Sequence, residues 1–141
     1  MQRVTRANVV VNQQEIANIQ QGLMVLIGIE KDDDQSKARR LIDRLLTYRV
    51  FADENQKMNR SLSNIDGGLL LVPQFTLTAD TKKGTRPGFS RGAPPEQAEK
   101  LFLYCVEYAT SVHNIVESGQ FGADMQVTLT NDGPVTFTLT T

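Results

Sequence analysis

The stretch Leu23-Met24-Val25-Leu26-Ile27-Gly28-Ile29 decides how this chain is read. It is a continuous apolar run of strand length. A strand with one face in water alternates polar and apolar residues, whereas an unbroken run suits a strand covered on both faces. Leu69-Leu70-Leu71-Val72, entered from Gly67-Gly68, repeats the pattern. Between the two runs, Ala38, Leu41, Ile42, Leu45 and Leu46 recur at helical spacing and form one apolar face. Asp32-Asp33-Asp34 lies where that helix begins, and the helix dipole favours negative charge there. Capping is the expected role of this acidic run, with a metal site as the alternative.

Moving outward, Arg3 to Val11 reads as a strand, and Asn12 to Gly22 as a polar stretch containing a turn. Phe51 to Asp66 is polar and rich in Asn, a loop or short hairpin. The second apolar run continues as a strand into Pro73-Gln74-Phe75-Thr76-Leu77-Thr78-Ala79. Lys82 to Pro95 is a long loop rich in Gly and Pro, a kind that is often functional. A second helix starts near Pro95, a favoured first helical position, with Ala98, Leu101, Phe102, Cys105, Ala109, Val112 and Val116 as its buried stripe. Gly119 and Gly122 bracket a turn. At the C-terminus Met125, Val127 and Leu129 alternate with polar residues, as do Val135, Phe137 and Leu139. Asn131-Asp132-Gly133-Pro134 between them predicts a hairpin turn. The order of elements predicts a mixed α/β (α+β) fold, with one sheet and two helices packed on it in a single domain over residues 1–141.

Composition narrows the function. The chain has 141 residues, 40% hydrophobic and 22% charged, enough for one core. Its 15 Lys and Arg against 16 Asp and Glu give a net charge of -1. That excludes nucleic-acid binding by bulk charge but leaves room for a local basic patch. The sequence shows no membrane-spanning run and no signal-peptide pattern. Its one Cys and one His make a Cys/His metal cluster impossible. A soluble, cytoplasmic protein without a metal or other cofactor is expected.

The usual carriers of catalysis are missing. His113 reads as a surface or helix-flank residue and Cys105 as a buried, inert thiol. There is no nucleophile elbow, zinc helix, P-loop or dinucleotide fingerprint. Either the protein is not an enzyme, or the substrate brings the reactive groups and the protein brings geometry. Three segments are unusual. Gln74 and Thr76 put polar groups at the end of a buried strand, as satisfied strand-end residues or as the floor of a pocket. Gly133-Pro134 is a plain turn or a rigid presentation of two carbonyls. Lys82, Lys83, Arg86 and Arg91 sit in a loop stretch with no acid among them, as solvated charges or as phosphate contacts.

Taken together, these pieces resemble the bacterial D-aminoacyl-tRNA deacylase family. The matching segments are Gln2-Arg3-Val4, Gln74-Phe75-Thr76-Leu77 with Ala79, Lys83-Gly84-Thr85-Arg86-Pro87, Gly119 with Phe121-Gly122-Ala123, and Asn131-Asp132-Gly133-Pro134-Val135-Thr136. Each is weak alone, but the ordered set covers essentially the whole chain and is specific. The family's central motif usually opens with Ser, and Pro73 stands there. The N-terminus is a few residues shorter than usual.

The resemblance implies a small β-barrel-like sheet arrangement with two outer helices, acting as a homodimer. It implies a proofreading hydrolase that cleaves the ester joining a D-amino acid, and also glycine, to the 3′-terminal adenosine of tRNA, and that rejects L-aminoacyl-tRNA. Catalysis then falls to Gln74, Phe75 and Thr76. Gly133 and Pro134, with a cis bond, would enter the partner's active site and select chirality, with Arg3 supporting their turn. Phe121, Gly122, Ala123 and Met125 would line the adenosine pocket, and Lys82, Lys83 and Arg86 would contact tRNA phosphates. The alternative is a catalytically silent tRNA- or RNA-binding homodimer, which Pro73 favours. A relative of the editing domains of some archaeal threonyl-tRNA synthetases shares the fold, but the Gly133-Pro134 filter argues against it.

Overall fold

The computed structural model describes residues 1–141. Strands β1 (Gln2–Val11), β2 (Gln14–Ile19), β3 (Gly22–Ile27), β6 (Gly68–Pro73), β7 (Val116–Ser118) and β8 (Gln126–Thr136) form one mixed sheet. Helices α1 (Gln35–Thr47) and α3 (Pro95–Val112) pack on it. A two-stranded ribbon, β4 (Phe51–Ala52) and β5 (Met58–Arg60), and the one-turn helix α2 (Leu62–Ile65) lie between α1 and β6.

The two apolar runs are the centre of this sheet. β3 and β6 pair in parallel from Gly22–Gly68 to Ile27–Pro73, and β6 pairs in parallel with β7. Parallel neighbours need crossovers, which α1 and α3 supply. Side chains of β3 and β6 then divide between two cores. Leu23, Val25, Ile27, Leu69 and Leu71 pack under the helices with Ile42, Leu45, Phe102 and Cys105. Met24, Leu70 and Val72 point the other way, onto Val4, Ala7, Val9, Ala17 and Ile19 of β1 and β2. Both faces are buried, so neither strand alternates.

β1 gives the sheet its curvature. Along one edge it pairs with β3 at Gln2–Val4 and with β2 at Ala7–Val11; along the other it pairs with β8. Opposite β8, the step from Val4 to Arg6 is matched by only one residue, Asn131 to Thr130. This bulge switches the pleat, so Val4 and Ala7 both reach the inner core despite their odd spacing. The result is the nearly closed, barrel-like sheet.

The structure corrects several sequence expectations. Asn12 to Gly22 is not only a turn: it contains β2, whose exposed, Gln- and Glu-rich face hid it. Val116 belongs to β7, because α3 ends at Val112. Residues Met125 to Leu139 are not a hairpin. β8 runs through the turn residues and pairs with β1 on both sides of them. The acidic run does cap α1 as expected, with Asp34 accepting from the Lys37 amide at 2.9 Å.

Candidate functional site

β6 does not continue past Pro73. Gln74 donates its amide to the Ile27 carbonyl at 2.7 Å, and Phe75–Thr78 then close a 3-10 turn. The turn replaces the expected strand because its polar residues find local partners. Thr78 Oγ1 donates to the Phe75 carbonyl at 2.8 Å, and Gln74 Nε2 donates to Thr76 Oγ1. The first in-turn bond is Leu77 N–H to the Gln74 carbonyl, so the amides of Phe75 and Thr76 have no acceptor inside the turn.

Two glycines let this turn sit close to the sheet. A Cβ on Gly28 would lie 2.9 Å from Leu77 Cβ and 3.3 Å from the Gln74 carbonyl oxygen. A Cβ on Gly92 would lie 2.8 Å from Thr78 Oγ1.

Beside the turn is a cavity of about 360 Å³, walled by Gln74, Phe75, Thr78, Phe89 and Phe121 over Ile27 and Ala98. Phe75 and Phe89 meet with ring centroids 5.2 Å apart and stay 64% and 43% exposed. No titratable side chain lines this cavity. A larger hollow of about 500 Å³ lies on the other side of Thr78, between β3, α1 and the C-terminal tail. Its charged side chains pair with one another, Arg91 with Glu30 at 2.6 Å and Lys37 with Asp33 at 3.3 Å, while the Met1 ammonium donates to the Phe137 carbonyl at 2.7 Å.

Gly133 and Pro134 project from β8 and line neither hollow. Their peptide bond is cis, and Gly133 has φ 136°. Between the pairs Gln2–Thr136 and Val4–Asn131, Arg3 faces the segment from Asp132 to Val135. Arg3 Nε donates to the Asp132 carbonyl at 3.0 Å, and its Nη1 donates to the carbonyl of Val50, just past α1, at 2.6 Å. Asn131 closes the turn from within, accepting from the Val135 amide at 2.7 Å and donating to Thr136 Oγ1 at 2.8 Å. A side chain at position 133 would meet Val135 Cγ2 at 2.7 Å and Arg3 Nη2 at 3.1 Å, so only glycine fits.

The fold thus gathers Gln74, Phe75 and Phe121 at one cavity and places Arg3 on the Gly133-Pro134 turn. Thr76, Gly122, Ala123 and Met125 stay outside the cavity wall. Met125 Sδ instead accepts from the Gln120 amide at 3.4 Å. Lys82, Lys83 and Arg86 are exposed and make no ion pair. Sequence reading missed Thr78 and Phe89, since neither a 3-10 turn nor a loop has a periodicity that marks a wall residue. His113 flanks α3, one of the two expected positions, but not at the surface. It caps α3, is buried, and sets Nε2 2.7 Å from the Gly67 carbonyl oxygen. Cys105 is buried as expected, and burial pushes its thiol up to about 11.

Comparison with known proteins agrees along the full length. The profile of a family described as D-Tyr-tRNA(Tyr) deacylase matches residues 1–140. A D-aminoacyl-tRNA deacylase of Pseudoalteromonas atlantica is 53% identical over 139 residues, covering 99% of this chain and 96% of the relative. One from Histophilus somni is 57% identical over 143 residues, with the same coverage. Among solved structures, a c-Myc DNA Unwinding Element Binding Protein superposes with a TM-score of 0.90 at 39% identity, covering 95% of this chain and 91% of its own. A probable eukaryotic D-amino acid tRNA deacylase shares the fold, with a TM-score of 0.80 at 18% identity over 94% and 92% of the two chains. No helix is long and apolar enough to cross a membrane.

Proposed function

The chain belongs to the D-Tyr-tRNA(Tyr) deacylase family, and from that premise we propose that it hydrolyses the ester between a D-amino acid and the 3′-terminal adenosine of tRNA. The observation that carries this reading is the cavity at Gln74 and Phe75, whose wall contains no titratable side chain. Such a wall supplies no general base. An aminoacyl ester does not require one, because it is already activated and its ribose 2′-hydroxyl can assist the attacking water. Water adds to the ester carbonyl, the oxyanion collapses, and the 3′-oxygen leaves with a proton. The protein's share is positioning, together with donors for the oxyanion. The unpaired amides of Phe75 and Thr76 are suited to that contact. Thr76 is not the nucleophile, since its hydroxyl is held by Gln74 and has no base beside it.

The Gly133-Pro134 turn serves the site of a second copy. It is exposed, held by Arg3 and absent from the wall of its own chain's cavity. Its carbonyls accept from the substrate ammonium and crowd the side of Cα where an L side chain would stand. A D side chain points to solvent and passes, as does glycine, which has none. Phe121 of the cavity wall, together with Gly122, Ala123 and Met125 that follow it in the chain, receives the terminal adenosine, and Lys82, Lys83 and Arg86 hold tRNA phosphates.

Release of amino acid from D-Tyr-tRNA and L-Tyr-tRNA, measured side by side, tests the proposal. Fast loss of D-Tyr with L-Tyr intact is expected. Binding of tRNA without loss of either would favour the silent binding homodimer, for which Pro73 in place of the family's Ser is the one specific argument.

A further inference from the structure

The 13 residues of α1 carry Arg39 and Arg40, both exposed, and the half-buried Arg44, and the exposed Arg49 follows its end. On an intact helix the spacing of Arg40 and Arg44 puts them on neighbouring turns, about 5–6 Å apart at Cβ. None of these four guanidinium groups has a carboxylate within ion-pair distance. The reason lies in how Asp43, the acid among them, is used. Its carboxylate accepts from the Tyr108 hydroxyl of α3 at 2.8 Å. That bond holds the Tyr108 phenol above its usual range, so it stays a donor to the carboxylate. Arg39 then lies over the Tyr108 ring face, 5.1 Å from its centroid, rather than on Asp43. Arg44 donates to the neutral Thr140 carbonyl at 2.8 Å and lies 6.0 Å from the Tyr48 ring centroid, and Arg40 and Arg49 touch no protein acceptor. On a chain of net charge -1, the exposed and unpaired Arg40 and Arg49, flanked by Arg39 over Tyr108 on one side and Arg44 over Tyr48 on the other, make this surface locally basic.

The position of α1 gives this face a use. Its start adjoins the basic loop, through Arg91–Glu30 at 2.6 Å and the Lys31 amide on the Arg91 carbonyl at 3.2 Å. Beyond its end lies Val50, whose carbonyl holds Arg3 and so the Gly133-Pro134 turn. The helix spans about 20 Å between these two landmarks. That length matches a run of backbone phosphates better than a single anion.

We propose that the outer face of α1, with Arg39, Arg40, Arg44 and Arg49, binds the phosphate backbone of the double-stranded RNA stem that adjoins the 3′ end held at the site. This rests on the substrate being aminoacyl-tRNA. The surface reads no bases. It adds salt-sensitive affinity for the stem beyond what the Lys82–Arg86 loop and the cavity provide.

The test compares the full-length protein with Arg40→Gln/Arg49→Gln, a variant that removes two charges with no contact inside the protein. Binding of deacylated full-length tRNA and of a single-stranded ACCA tetranucleotide is titrated across salt concentrations. The variant is expected to lose about 1.5 from the slope of log K against log salt for tRNA, and to bind tRNA roughly tenfold or more weakly at about 0.1 M salt. Its affinity for the tetranucleotide should be unchanged, and Arg40→Lys/Arg49→Lys should keep the original slope. A tRNA slope equal to that of the unsubstituted protein overturns the proposal, as does equal weakening for both ligands. Hydrolysis of D-Tyr-tRNA is assayed in parallel. A slope change without hydrolysis by the unsubstituted protein would sink the deacylase reading and leave the surface standing, while hydrolysis with an unchanged slope would sink only the surface.

Discussion

Replacing Arg3 by Met tests the link between the fold and the Gly133-Pro134 turn. Met keeps most of the side-chain length and apolar stem but has no donor. Two charge-assisted bonds disappear, to the carbonyls of Val50 at 2.6 Å and Asp132 at 3.0 Å. Bonds to charged groups contribute about 1.5–3 kcal/mol each. The Val50 end counts in full, because Val50 is 1% exposed and water cannot replace the lost donor. The Asp132 end counts for less. Its carboxylate lies 3.6 Å from Nε with its side chain 48% exposed, and solvent competes there. The sum is a loss of about 2–4 kcal/mol, a large part of the ~5–15 kcal/mol that holds an ordinary domain together. Urea unfolding of the two proteins measures it. Arg3→Lys should recover only part, because an ammonium cannot fork between two carbonyls. The same variants are assayed on D- and L-Tyr-tRNA, where the loosened turn should reject L-Tyr less well. Unchanged stability in Arg3→Met would refute the brace. Lost stability with both hydrolysis rates unaltered would refute the role given to the turn.

Gly28→Ala should push the Phe75–Thr78 turn away from β3, costing about 1–3 kcal/mol in urea and most of the hydrolysis rate, because the new Cβ would lie 2.9 Å from Leu77 Cβ. Thr76→Val should lower the hydrolysis rate less than tenfold, since it keeps the backbone amide; complete loss of activity would restore Thr76 as a nucleophile. Cys105 should resist a thiol reagent in the folded protein even at pH 9, with labelling rates that follow unfolding. Its thiol sits at about 11 because burial disfavours the thiolate, and Asp33 adds to the effect. The folded state therefore holds a proton that the unfolded chain gives up near its ordinary pKa of 9.0. The resulting stability is present below pH 9 and is lost as pH rises toward 11, by about 2–3 kcal/mol, which urea midpoints across that window would register.

The sequence by itself determined the elements whose own residues mark their buried faces. Leu23–Ile29 and Leu69–Val72 read as strands covered on both faces, because apolar residues leave no wet side, and α1 and α3 showed their buried stripes. It also carried the ordered motifs that name the family. Tertiary structure decided what depends on partners distant in the chain. Asn131-Asp132-Gly133-Pro134 has the local chemistry of a hairpin turn. It became a protrusion within one strand because β1 offers pairing on both sides of it, and Arg3 holds it from 129 residues away. Phe75–Thr78 left the strand path because Gly28 and Gly92 open space for a tighter turn, the Thr78 hydroxyl finds an acceptor in the Phe75 carbonyl, and Thr76 Oγ1 accepts from Gln74. His113 turned inward because the Gly67 carbonyl waits at the end of α3. Periodicity records which face of an element is buried. It does not record which distant backbone group will accept a hydrogen bond, and the candidate site is built from such groups.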